Sequence, residues 1–176
     1  CRVYLDGEGG SLEGACIPDW KEIDMIPEEA RLLCAGLDFG YSVDPSTYIR
    51  LYKWNNAYIF DELLYRKGML NRDISRFLTD KKILEPFFAD SAEPKSIQEI
   101  RNYGHKIFPV TKGRDSVIYG INLINQNEIY ITRRSKNLIR ELQGYVWDKD
   151  KEGNNIQKPT GIHPDCIDAA RYALMM

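Results

Sequence analysis

Apolar residues run almost unbroken through RLLCAGLDFG (31–40), a density that suits a strand covered on both faces, and the run ends at Asp38. Past the Asp44-Pro45 turn signal, TYIRLYKW (47–54) is rich in β-branched and aromatic residues and predicts a second strand. The Asn55-Asn56 turn leads to a third, AYIFDELLYRKG (57–68). Short turns between them make the three an antiparallel meander. The period then changes. Asn71 caps a predicted helix to about Lys82, with Ile74, Phe77 and Leu78 on one face. EPFFAD (85–90) is a short strand that again ends on an aspartate. Pro94 starts a helix that Gly104 ends, and KIFPV (106–110) is the next strand. A helix over 115–126, a strand over 128–132 and a helix from 135 that turns extended by 147 follow. Residues 148–158 read as a polar hairpin or loop, and a last helix covers 163–175. Residues 1–30 show no period and read as an irregular lead-in arm, which places one domain over 31–176.

Three antiparallel strands followed by alternating helices and strands predict an α/β fold: a mixed sheet with helices on both faces. The 176 residues suffice for one self-sufficient core. No apolar run approaches the roughly 18 residues of a membrane span. The N-terminus lacks the basic start and apolar stretch of a signal peptide. Cysteines at 1, 16, 34 and 166 have neither zinc nor redox spacing and read as free thiols of a reducing compartment. His105 and His163 are too few for a histidine-rich metal site, and no GxSxG elbow supports a serine nucleophile.

Sites in such sheets gather at the carboxyl ends of strands, which singles out Asp38 and Asp90. Asp168 joins them from the last helix, sharing a flank with Asp165 and Arg171, while Ile167, Ala170 and Leu174 are spaced to pack on the sheet. Taken one at a time, such aspartates are turn formers, caps or solvated groups. Clustered carboxylates repel, and a bound cation is their natural compensation. Oxygen ligands without cysteine or histidine select Mg²⁺ or Mn²⁺.

GLDFGYSVDPS (36–46), AYIFDELLYRKG (57–68), FFADSAEPKSIQEIR (87–101) and HPDCIDAARYA (163–173) resemble, in order and spacing, the C-terminal nuclease domain of tailed-phage terminase large subunits. RVYLDGEGGSLEG and IPDWKEID resemble that family's segment leading out of an ATPase domain. The resemblance implies an RNase H-like fold and a two-metal endonuclease that cuts double-stranded DNA concatemers during packaging, with two Mg²⁺ or Mn²⁺ ions. It implies that Asp38 is the first-strand ligand, Asp90 the ligand bridging two ions and Asp168 the helix ligand. Some relatives carry histidine three residues before that last aspartate. Here the position is Asp165, which either joins the metal shell or sits beside it. Glu62 matches an acidic position in the third strand; Asp61 next to it faces the other way, so only one of the two can face the site. A salt-bridging surface pair is the alternative. Other RNase H-like DNA enzymes, such as a junction resolvase or transposase core, share these carboxylates, and a non-catalytic module would use them only to stabilise strand ends.

The net charge of −2 hides an uneven distribution: −6 over residues 1–38 and +4 over 91–144. The basic stretch offers Lys112, Arg114, Arg133, Arg134 and Lys136 as phosphate contacts, and TKGRDS (111–116) opens a helix whose amides can meet a phosphate. No Walker A motif is present and the first residue is not Met. The chain is therefore expected to be one domain of a larger protein. The resemblance implies an ATPase motor, a small terminase subunit and a portal as partners, no membrane, and the host bacterial cytoplasm as the setting.

Overall fold

The computed structural model describes residues 13–176 and the backbone of Val3–Tyr4. In chain order the elements are β1 (Val3–Tyr4), β2 (Lys21–Ile23), β3 (Arg31–Asp38), β4 (Ser46–Trp54), β5 (Ala57–Arg66), α1 (Asn71–Asp80), β6 (Phe87–Asp90), α2 (Pro94–Asn102), β7 (Ile107–Val110), α3 (Ser116–Asn125), β8 (Glu128–Thr132), α4 (Lys136–Gly144), β9 (Tyr145–Lys149), β10 (Asn155–Gly161) and α5 (Asp165–Leu174). Eight strands form one mixed sheet in the order β1-β2-β8-β5-β4-β3-β6-β7, and β9 and β10 form a separate hairpin. The meander β3-β4-β5 is antiparallel, and β6 and β8 add to its two edges in parallel.

β3 is central, and its near-continuous apolar run is explained by burial on both faces. Cys34 belongs to the core under α3, α4 and α5, while Ala35 and Leu37 belong to the opposite core with Ile74, Phe77 and Leu78 of α1 and Ile97 and Ile100 of α2. Gly36 is required by the close approach of α5, because a Cβ there would run into the carbonyl oxygen of Ala169. Ile167, Ala170 and Leu174 are buried as their spacing predicts.

The lead-in stretch differs from the expected irregular arm. β2 pairs in parallel with β8, β1 pairs with β2, and Cys16, Ile17, Trp20 and Ile23 are buried. A three-residue strand carries no readable period; what anchors it is the burial of Trp20 and Ile23 on either side of Lys21–Glu22. Ala15 bridges Val146 and the Cys16 amide donates to the Tyr145 carbonyl at 2.9 Å, so the same stretch also holds the base of the β9-β10 hairpin. Cys16, Cys34 and Cys166 are free and buried; Cys1 and the glycines at 7, 9 and 10 lie outside the described residues. No helix among the described residues is long and apolar enough to cross a membrane.

Candidate functional site

The registers bring the strand-terminal aspartates together. Leu37 pairs with Ala89, so Asp38 and Asp90 end adjacent strands, and Thr47 stands opposite Asp38 on the other side. The Thr47 hydroxyl donates to the Asp165 carbonyl at 3.0 Å, which fixes the first turn of α5 over the end of β3. That turn carries Asp165 and, one turn on, Asp168. Asp38, Asp90, Asp165 and Asp168 therefore share the carboxyl end of the sheet.

The electrostatics record how close they are. Burial, then the charges of Asp168, Asp165, Glu141 and Asp90, push the Asp38 carboxyl up to about 9. Burial also raises Asp168, although the Arg171 guanidinium opposes the rise. Arg171 is buried and donates from Nη2 to Asp168 Oδ1 at 2.8 Å, which realises the spacing noted between these residues. Its stem passes where a Cβ on residue 120 would stand, 2.6 Å from the Arg171 Cδ, so α3 needs Gly120 there. Asp90 uses both oxygens: Oδ1 accepts from the Ala92 amide at 2.9 Å and Oδ2 from Lys112 Nζ at 2.6 Å. Beside Asp165, His163 Nδ1 lies 3.0 Å from Asp165 Oδ1. Burial lowers the imidazole's pKa, but the Asp165 pair outweighs it and the net shift is upward.

An all-oxygen donor set with excess negative charge fits a hard divalent cation. Asp44, His163 and Asp165 present ligand atoms that all lie within 4.8 Å of one another, so donors also extend along the site's rim through two residues not picked out in the sequence.

Glu62 is placed elsewhere. Its Oε1 accepts from the Leu138 amide at 2.9 Å and its Oε2 from Asn137 Nδ2 at 2.7 Å, so both oxygens serve the start of α4, where amides lack helical partners. Asp61 is not a surface group either: it is fully buried, accepts from Thr132 and pairs with Arg134. Of the expected phosphate contacts, Arg133 pairs with Asp24, Arg134 with Asp61 and Lys112 with Asp90, while Arg114 and Lys136 are exposed without an ion pair among the described residues.

Glu141 was missed. It is buried on α4, and its Oε1 accepts from the amides of Cys166 and Ile167 at 2.8 and 3.0 Å, capping α5. Its Oε2 has no partner, and burial pushes the carboxyl up to about 7. A signal was present: Leu138, Leu142 and Tyr145 form an apolar stripe at helical spacing, and Glu141 lies within it.

Residues 38–175 match the family described as "Terminase RNAseH like domain". The chain belongs to this family. The domain is also 32% identical over 145 residues to the terminase large subunit of Bacillus phage SPP1, covering 78% of this chain and 34% of that protein. It spans about a third of the length of the curated relatives it matches. The SPP1 large terminase nuclease domain with bound Mn superposes with a TM-score of 0.76 at 28% identity, covering 90% of this chain and 97% of that one. The fold alone is shared with the large terminase nuclease of thermophilic phage G20c with bound magnesium, at 16% identity and a TM-score of 0.65 over 97% and 95% of the two chains. The terminase domain thus has the RNase H-like architecture that the sequence resemblance implies, on the mixed sheet that its strand pattern predicts.

Proposed function

We propose that this terminase domain is a metal-dependent endonuclease that cuts double-stranded viral DNA concatemers during genome packaging. The observation that supports it best is the gathering of four aspartates at one end of the sheet, where burial and then the repulsion of its neighbours raise the Asp38 carboxyl to about 9. Asp38, Asp90 and Asp168 would hold two divalent cations, Mg²⁺ or Mn²⁺, with Asp165 at their side. Such a pair, when bound, supplies an activated water and stabilises the leaving oxygen of a phosphodiester.

The chain's own residues do the rest. Thr47 and Glu141 hold the first turn of α5, so Asp165 and Asp168 stay over the ends of β3 and β6. Arg171 fixes the direction of the Asp168 carboxylate. Lys112, on the loop between β7 and α3, balances the charge of Asp90 and is positioned to exchange it for a substrate phosphate. Arg114 and Lys136 are exposed for further phosphate contacts. Family membership favours cutting of packaged duplex over a junction-resolving or non-catalytic role. In the full-length protein the reading includes an ATPase motor domain, a small terminase subunit and a portal, at work in the host bacterial cytoplasm.

The test is cleavage of plasmid DNA with Mn²⁺. The wild-type domain is expected to linearise and degrade it, and Asp90→Asn to lose at least about a hundredfold in rate, about 2.7 kcal/mol of transition-state stabilisation. Full cleavage by Asp90→Asn, or none by the wild type, overturns the reading.

A further inference from the structure

Glu85, Asp24, Asp61, Asp90 and Asp168 each engage a cation. A run of cations elsewhere in the chain is not held in this way. Residues 66–82 carry six basic side chains, Arg66, Lys67, Arg72, Arg76, Lys81 and Lys82, against Asp73 and Asp80. All six are exposed, and none has an ion pair, side-chain hydrogen bond or ring contact among the described residues. Asp73 is engaged, accepting from the Leu70 amide at 2.9 Å.

Four of these cations form a concave site. Arg66 and Lys67, at the end of β5, Arg76 of α1 and Lys81 at its C-cap line a cavity of about 320 Å³ together with Met69, Phe77 and the aspartates Asp73 and Asp80, which leaves an excess of two positive charges. The place in the fold matters as much as the charge. β5 runs parallel to β8 and antiparallel to β4, so Arg66 lies at the same end of the sheet as Asp38, opposite Ser46, the residue before Thr47. Two strand spacings separate β5 from β3, a lateral distance of about 10 Å, which is the axial rise of about three base pairs. The Gly68 amide donates to the Tyr41 carbonyl at 3.3 Å, tying this loop to the one that follows Asp38. Met69 lines both this cavity and its neighbour, which is walled by Phe39, Gly40, Tyr41 and Asp44.

We infer that the Arg66–Lys67–Arg76–Lys81 cavity anchors backbone phosphates of the DNA duplex that lies across the carboxyl end of the sheet. The inference rests on the DNA reading above and adds to it where the duplex is held. Four exposed cations that outnumber the two aspartates of the cavity, and form no ion pair with them, attract a polyanion without reading its bases, as phosphate contacts do. Because the cavity flanks the loop after Asp38, a strand held there runs toward the aspartates.

The experiment measures binding of the domain to a short fluorescent duplex by anisotropy across a salt series, in EDTA so that nothing is cut. The double variant Lys67→Ala/Arg76→Ala changes only exposed side chains. It is expected to reduce the slope of log affinity against log salt by about 1.8, since each phosphate contact contributes about 0.9. At low salt, affinity should fall about tenfold. Arg31→Ala/Lys53→Ala removes the same charge from the opposite end of the sheet and is expected to leave the slope unchanged. A wild-type slope for the first variant, or an equal loss for the second, overturns the anchor. If the wild type binds with the expected slope but fails to cut plasmid DNA with Mn²⁺, the nuclease reading fails and the anchor stands. If it cuts and the first variant binds unchanged, the reverse holds.

Discussion

Asp38 has the largest conflict between its surroundings and its usual charge. In the metal-free domain its carboxyl is pushed up to about 9 by burial and by four neighbouring carboxylates. A carboxylate whose folded pKa exceeds its unfolded one stabilises the fold fully below the unfolded pKa, and loses that contribution as pH rises through the folded value. Asp38 should therefore make the domain in EDTA less stable as pH climbs from about 4 to about 9. Asp38→Asn removes the titration. It should be more stable than the wild type at pH 8 by on the order of 1–3 kcal/mol, with a flatter profile of melting temperature against pH. The same variant should not cleave DNA. An unchanged pH profile in a thermal melt would show that Asp38 is not the strained group. The position of this residue at the end of β3 was legible because the apolar run before it stops there. Its partners were legible only in part. Asp168 and Arg171 were paired by helical spacing, whereas the Lys112–Asp90 contact joins residues 22 apart across the α2 crossover between parallel strands, which no local pattern encodes.

At the scale of elements, the site depends on where α5 begins. Pro164 precedes it and offers no side-chain cap, so the first amides of the helix need an acceptor from elsewhere. Glu141 supplies it from α4, reaching Cys166 and Ile167 with one oxygen. Glu141→Ala would leave two buried amides unpaired and is expected to cost about 2–3 kcal/mol. That corresponds to a fall in melting temperature of roughly 4–12 °C for a chain of this size. Glu141→Gln keeps an acceptor oxygen and should retain most of the stability, since burial already favours the neutral carboxyl there. A melting temperature for Glu141→Ala within about 2 °C of wild type would show that α5 is positioned by packing alone. The strands β3, β4 and β8 fall close to the expected positions because apolar density and short turns mark them. Glu62 and Asp61 did not follow expectation, because the alternation of a strand says which face a residue takes but not which helix terminus waits there. The dense positive stretch 66–82 was likewise present in the chain but diluted, since summing over 39–90 adds five further acidic residues and only two basic ones.

For the molecule as a whole, the boundary of the folding unit is the consequential correction. A domain beginning at residue 31 agrees with the hydrophobic pattern, yet it would omit Ile17, Trp20 and Ile23, each 2% exposed or less. It would also strip β2 from β8 and uncover the edge of the sheet. Burying a large apolar side chain contributes about 1.5–3 kcal/mol, so three such losses approach the whole of a typical domain's 5–15 kcal/mol. A chain starting at residue 31 should therefore be unfolded or marginal in urea titration, whereas one starting at residue 13 should keep Ile17, Trp20, Ile23 and most of the midpoint. Equal midpoints for the two would mean that the lead-in packs on the domain without stabilising it. The site's dependence on this stretch gives the comparison a second readout. The Cys16 amide and the Gly14 carbonyl bond β9, and β9 continues directly from α4, the helix that presents Glu141 to α5. Removal of residues 13–30 should thus loosen α4 and, through it, the turn that carries Asp165 and Asp168. Any residual fold of the shorter chain should bind Mn²⁺ more weakly than the longer one, as measured by the gain in melting temperature on adding the ion, because stabilisation by a ligand follows its affinity for the folded state alone.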